Sequence, residues 1–191
     1  MRVIAGSAKG HRLYAVPGEA TRPITDRVKE ALFNILGDFI VGAWVLDLFA
    51  GTGSVGIEAL SRGAAYVVFV DKSPVALRTV RRNLEHTRLS ERATLVQADA
   101  FRYLARPIGQ SFHLIYVAPP QYLGMWTKVI QMLDERPQWL ARSLDKDALA
   151  IVQIHPREHQ MLELQHLSLY DLRRYGSTLL CFYRLCSTPA I

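Results

Sequence analysis

Three acids and two glycines stand at the ends of successive apolar runs in this 191-residue chain, and their spacing is the first sign of chemistry. In "VLDLFAGTGSVGIEAL" a short apolar run reaches Asp47, passes through Phe49, Ala50, Gly51, Thr52 and Gly53, and leads into a helical pattern near Ser54. Gly51 and Gly53 let the backbone turn sharply and approach a ligand with no Cβ in the way. Glycine-rich strand-to-helix turns also serve dinucleotides, so the glycines alone leave the ligand open. The Asp47-x-x-x-Gly51-x-Gly53 spacing adds a carboxylate beside the turn, suited to an ammonium group and poorly suited to a diphosphate. No Gly-Lys-Ser/Thr follows, which argues against a nucleoside triphosphate loop. The second run ends at Asp71, which can accept from both hydroxyls of a ribose. The third ends at Asp99-Ala100-Phe101, where Asp99 can accept from an adenine amine and Phe101 can flank the ring. Each acid alone also reads as a strand-end or helix-capping group, the favoured reading for Asp99 taken singly. Together, in strand order, they describe a site for S-adenosylmethionine, leaving S-adenosylhomocysteine as product.

The elements that must position these groups alternate in type. "WVLDLF" (44–49), "YVVFVD" (66–71), "ATLVQA" (93–98), "FHLIYVA" (112–118) and "ALAIVQI" (148–154) are short, near-continuously apolar runs, as in strands buried on both faces of a parallel sheet. Helical spacing separates them. In "SPVALRTVRRNLEHTRL", Ser73 is a predicted N-cap, Pro74 fits the first helical position, and Leu77, Val80 and Leu84 share a face. This alternation predicts a doubly wound α/β sheet, with ligands outside the carboxyl ends of the strands. "HLSLYDLRRYGSTLLCFYRL" predicts two antiparallel strands about a Gly176-Ser177 turn, closing a sheet edge. Residues 43–191 therefore read as one Rossmann-like domain. Residues 1–42 read as an extension: a small hairpin with a Gly-Ser or Lys-Gly turn, then a helix capped by Thr25 or Asp26. That helix is expected to bury Ala31, Leu32, Ile35 and Leu36 and to break at Gly37.

Half the residues are hydrophobic and 21% are charged, which describes a globular chain and excludes a disordered one. No apolar run approaches the roughly 18 residues of a membrane span, and the N-terminus lacks a signal-peptide core, so a cytoplasmic location without membrane association is expected. Cys181 and Cys186 are expected to be reduced and structural. No metal is expected, since no cluster has ligand spacing. The net charge of +6 suggests a polyanionic partner. Residues 1–29 hold Arg2, Lys9, Arg12, Arg22, Arg27 and Lys29 against two acids. Residues 72–92 hold Lys72, Arg78, Arg81, Arg82, Arg88 and Arg92, again against two. Two segments thus carry the whole excess, either as phosphate-contacting surfaces or as ordinary solvated faces.

The chain resembles the RsmD family, bacterial methyltransferases of guanine N2 in small-subunit (16S) ribosomal RNA. The resemblance rests on "MRVIAGSAKGHRL", "RPITDRVKEALFNILG", "VLDLFAGTGSVGIEALSRGA", "FVDKS", "QADAF" and "RYGSTLLCFY", and it runs nearly the full length. It implies a seven-stranded methyltransferase sheet, an N-terminal hairpin that meets RNA, and cofactor contacts by Asp47, Gly51, Gly53, Asp71 and Asp99. Phe49, Ala50, Lys72, Ala100 and Phe101 flank those positions and are counted with them. Arg2, Lys9, Arg12, Arg22 and Arg27 are the expected RNA contacts. The expected partner is small-subunit rRNA within a ribosomal particle, and a monomer is expected.

The family carries Asp-Pro-Pro-Tyr after the fourth strand, where this chain has Ala118-Pro119-Pro120-Gln121, with Tyr122 one place late. Gln153 stands where family members often carry Glu. A guanine amine is a weak nucleophile because its lone pair is delocalised, so the site must accept its N–H groups and hold it in line. Ala118 supplies no side-chain acceptor. The Pro119 carbonyl remains, Gln121 offers a neutral amide oxygen if the loop bulges by one residue, and Tyr122 can stack on an extruded base. Losing one placed acceptor costs roughly a hundredfold in rate. Alternatives stay open: Pro-Pro-Gln-Tyr as a plain turn, an inactive module that binds cofactor and RNA, or another amino acceptor such as DNA adenine or a protein glutamine. The basic N-terminus argues against a protein acceptor, and the lack of a target-recognition domain argues against DNA.

Overall fold

The computed structural model describes residues 1–18, 24–141 and 147–186. Arg22 lies outside the described residues. The chain divides into two compact units, Met1–Tyr103 and Leu104–Ile191.

In the first unit, β1 (Trp44–Leu48), β2 (Tyr66–Asp71) and β3 (Ala93–Gln97) run parallel with β2 in the middle. β1 and β2 are buried along most of their length, as their unbroken apolar runs require, whereas β3 is more exposed. The helices are α1 (Asp26–Leu36), α2 (Ser54–Ser61), α3 (Pro74–Thr87) and α4 (Ala100–Ala105), across which the unit boundary falls. α3 starts as expected: the Ser73 hydroxyl accepts from the Ala76 N–H at 3.2 Å, and Leu77, Val80 and Leu84 are buried. Thr25 caps α1, its hydroxyl accepting from the Val28 N–H at 3.3 Å.

The buried face of α1 differs from the expected one. Val28, Lys29, Leu32, Phe33 and Leu36 are buried, Ala31 is only half-buried, and Ile35 is 41% exposed. The true stripe follows the four-residue steps 28-32-36 and 29-33, and a lysine in its middle hides it from a reading of apolar period.

Lys29 is buried because the N-terminal arm closes over it. Val3 N–H donates to His11 O at 3.0 Å and Gly10 N–H to Val3 O at 2.9 Å, so the hairpin reverses between Gly6 and Gly10. The fully buried Glu58 of α2 accepts from the N–H groups of Ile4 at 2.8 Å and Ala5 at 3.0 Å. Glu58 also pairs with Lys29 at 3.4 Å and with Arg62 at 2.8 Å. Lys29 Nζ donates further to Arg2 O at 2.6 Å and Ser54 Oγ at 3.1 Å. Burial pulls the Lys29 ammonium below its ordinary value, and Glu58 partly restores it.

In the second unit the strands β4 (Leu114–Val117), β5 (Leu149–Ile154), β6 (Leu167–Tyr175) and β7 (Thr178–Leu185) lie in the order β4-β5-β7-β6. β4 and β5 are parallel, and β7 is antiparallel to both β5 and β6. The turn between β6 and β7 falls at Gly176-Ser177, as expected. The helix α5 (Met125–Glu135) is tied to the start of β6 by Asp134, which accepts from the N–H groups of Gln165, His166 and Leu167 at 2.9, 2.8 and 2.7 Å. Cys181 and Cys186 are free thiols, and burial pushes Cys181 up to about 12. Among the described residues seven strands, alternating with helices up to β5 and ending in the β6-β7 hairpin, make this an α/β, Rossmann-like fold. Among the described residues no helix is long and apolar enough to cross a membrane.

Candidate functional site

The glycine loop of the first unit leaves β1 at Phe49, which adopts a left-handed φ of 62°, an uncommon state for a bulky residue. Gly51 and Gly53 follow at φ 54° and 74°. A Cβ on Gly53 would lie 3.0 Å from Val80 Cγ1, so the close approach to α3 and the left-handed φ both favour glycine there. Asp71 fixes the other side. One of its oxygens accepts from Gly51 N–H at 2.9 Å and the other from Ser73 N–H at 2.8 Å. The acid at the end of β2 therefore holds the glycine loop and opens α3, with lone pairs left for a diol. Asn83 of α3 adds a third anchor, donating to Thr52 O at 2.9 Å.

Asp47 is 2% exposed and accepts from Gly56 N–H at 3.1 Å. Burial pushes its carboxyl up to about 8, the Gly56 bond opposes this, and the neighbouring Asp71 charge adds to it. Such an acid is poised to ionise when a cation is brought beside it. Asp99 caps α4 through one oxygen, which accepts from the N–H groups of Phe101 at 3.0 Å and Arg102 at 3.2 Å. Among the described residues its second oxygen has no partner. Phe101 is half-buried, Ala100 buried and Lys72 exposed. The structure thus joins Asp71 to Gly51 directly, while Asp99 is engaged with its own helix. The set of acceptors fits an amino-acid ammonium, a ribose diol and an adenine amine.

The second unit carries the 118–122 loop. Ala118 is half-buried and Pro119 buried, whereas Pro120, Gln121, Tyr122 and Leu123 are exposed. The chain turns at Gln121 and Tyr122, and Tyr122 takes a left-handed φ of 63°. Its N–H donates to Glu158 Oε2 at 2.7 Å, and its ring lies 5.5 Å from that of His155. Glu158 is itself set by a reciprocal cap, accepting from His155 N–H at 3.1 Å. Gln121 makes no side-chain hydrogen bond among the described residues, so its amide is available to a ligand. Gln153 accepts from the hydroxyl of the buried Tyr116.

Of the basic residues expected to meet RNA, Arg2, Lys9, Arg12 and Arg27 are exposed. Arg2 is partly engaged with Asp26, at 3.6 Å. Arg92 is internal: it donates to Ala64 O at 2.9 Å and Leu60 O at 3.2 Å.

Sequence reasoning missed Glu58, Asn83 and Glu158. Each is a polar side chain that captures backbone groups more than thirty residues away, and such contacts leave no periodic trace in the chain. A polar residue on an otherwise apolar helix face, as Asn83 is on α3, was the available signal.

A family model described as "Conserved hypothetical protein 95" matches residues 1–184. The protein YlbH of Bacillus subtilis is 38% identical over 96% of this chain and 98% of its own. The protein named ribosomal RNA small subunit methyltransferase D in Escherichia coli K12 is 36% identical over 74% of this chain and 70% of its own. The solved structure of yhhF from Escherichia coli matches with a TM-score of 0.84 and 32% identity, covering 97% of each chain.

Proposed function

Because this chain belongs to the family described as conserved hypothetical protein 95, the RsmD family of methyltransferases, we propose that it methylates the exocyclic N2 amine of a guanine in small-subunit (16S) ribosomal RNA. The observation that carries the cofactor half is Asp71 bridging Gly51 and the start of α3, beside the buried Asp47. When bound, S-adenosylmethionine supplies an electrophilic methyl group. Asp47 is the acid for its ammonium, Asp71 for its ribose and Asp99 for its adenine, with Phe49, Ala50, Gly53, Ala100 and Phe101 lining the loops. The Pro119 carbonyl and the Gln121 amide oxygen accept the two N–H bonds of the guanine amine. Electron density then rises on nitrogen as it attacks, and the displaced proton passes to solvent. Tyr122 stacks on the extruded base, and Glu158 holds Tyr122 in its left-handed turn. Residues 1–42 contribute the basic arm that meets RNA. A monomer acting in the cytoplasm on a ribosomal particle completes this reading.

One observation favours a second reading, a module that binds cofactor and RNA without transfer: the side chain of Ala118 has no acceptor atom. The two separate in the cell. Deleting the gene removes an N2-methylguanosine from 16S rRNA, and the wild-type gene restores it. An unchanged nucleoside profile after deletion would sink the first reading.

A further inference from the structure

We infer that the outer face of α3, joined with residues His11, Arg12 and Tyr14 of the N-terminal arm, forms a second RNA-binding surface that grips phosphates and stacks bases. The inference rests on the rRNA reading above and extends it to a surface outside both loops. Arg78, Arg81, Arg82, Glu85 and Arg88 are all exposed and form a stripe opposite the buried Ala76, Leu77, Val80, Asn83 and Leu84. Four of the five are arginines. Among the described residues none of the four, nor Lys9 or Arg12, has a carboxylate within ion-pair distance. Arginines left without a carboxylate partner keep their fork of donors for phosphate.

The arm adds rings to the charge. The Arg82 guanidinium lies 3.6 Å over the ring of Tyr14. His86 of α3 stands 5.6 Å from that ring and 5.2 Å from the ring of His11. Tyr14 is 38% exposed, so the cluster presents aromatic and guanidinium planes of the kind on which unpaired bases stack. Arm and helix are one rigid surface because Asn83 clamps both backbone groups of Tyr14, accepting from its N–H at 2.7 Å and donating to its carbonyl at 3.1 Å. The third Asn83 bond, to Thr52 O at 2.9 Å, fixes this surface to the glycine loop. A membrane surface fits less well: apart from Tyr14, no large hydrophobic residue of the described arm or of α3 is exposed.

The test is binding of the full chain to small subunits stripped of this modification, measured across a salt series. The wild type is compared with Arg78→Gln/Arg81→Gln/Arg82→Gln and with Arg78→Gln/Arg81→Gln, which leaves the Arg82–Tyr14 contact intact. The triple variant should bind roughly tenfold more weakly or worse, with a log-log salt slope shallower by about 2 to 3, while its affinity for S-adenosylmethionine is unchanged. The double variant should lose a slope of about 1.5 to 2. Tyr14→Leu should weaken binding with little change in slope, because stacking carries no counterion release. An affinity and slope equal to wild type in both arginine variants would overturn the surface and leave the rRNA reading standing. A wild type that binds no small subunit would overturn that reading and this surface with it.

Discussion

The glycine loop and the 118–122 loop each follow a strand that pairs in parallel within its own unit, and each carries an aromatic residue in the left-handed region, Phe49 at φ 62° and Tyr122 at φ 63°. Such a conformation costs about 1–3 kcal/mol at a non-glycine residue and persists only where the surroundings hold it. The surroundings differ. The glycine loop is fixed by Ala50 N–H to Val70 O at 3.0 Å, Gly51 N–H to Asp71 at 2.9 Å, Gly53 N–H to Ala50 O at 2.7 Å, and the Asn83 amide on Thr52. Among the described residues, the one side-chain hydrogen bond to the 118–122 loop runs from Tyr122 N–H to Glu158. The glycine loop is built from within, with Asp47 and Asp71 engaged with backbone N–H groups. The 118–122 loop is held by the Tyr122–Glu158 bond and turns Pro120, Gln121 and Tyr122 outward. The second loop is also where the sequence carries Ala118-Pro119-Pro120-Gln121 in place of the expected Asp-Pro-Pro-Tyr.

The sharpest way to break this contrast is to attack the inner support of the platform. Glu58→Gln leaves Lys29 buried without its partner and should cost about 3–5 kcal/mol, seen as a fall of roughly 10 °C in Tm. A change of less than about 1 kcal/mol would mean that the arm is not anchored as described.

Asp47 gives a comparable effect through pH. The unfolded acid loses its proton near 4 while the folded one keeps it to about 8, so the folded state binds more protons across that window. Stability should therefore fall as pH rises from about 4 to about 8 and level off above it, by several kcal/mol. Asp47→Asn should flatten that slope in denaturant titrations at each pH, and an unaltered slope would exclude Asp47 as its source.

Asp71→Asn replaces an acceptor of two N–H groups with an amide that opposes one of them. Cofactor affinity should drop about a hundredfold by calorimetry, with about 1–3 kcal/mol lost in stability. Glu158→Gln is the smallest change, since the amide oxygen can still accept from Tyr122 and the amide nitrogen then opposes only the His155 N–H of the short reciprocal cap. It should lower kcat by less than about tenfold and Tm hardly at all. A larger loss of kcat at Glu158 than at Asp71 would invert the contrast between the two loops.

Local chemistry was legible in the sequence where it recurs at short range. The strand runs, the Ser73-Pro74 helix start, the Gly176-Ser177 hairpin and the Asp47-Gly51-Gly53 spacing all depend on neighbours within a few residues. The Lys29–Glu58 pair joins residues 29 apart in the chain and lies inside the stripe that apolar period should have revealed, which is why Ile35 was expected in the core and Phe33 was not. Glu158 reaches back 36 residues to Tyr122, and nothing local in "HPREH" announces that bond. The acceptor loop was legible as a changed motif, because Ala118 and Gln121 stand where other residues were expected. Its left-handed turn was not, since it depends on a partner beyond the motif.

The most direct test is methyl transfer from labelled S-adenosylmethionine to small subunits that lack the modification, comparing wild type with Gln121→Ala. The account predicts N2-methylguanosine in the 16S rRNA with wild type, and a kcat about a hundredfold lower in the variant at unchanged Tm and cofactor affinity. Equal rates in the two would remove Gln121 from the site. Tight cofactor binding by wild type with no methyl transferred would contradict the account itself.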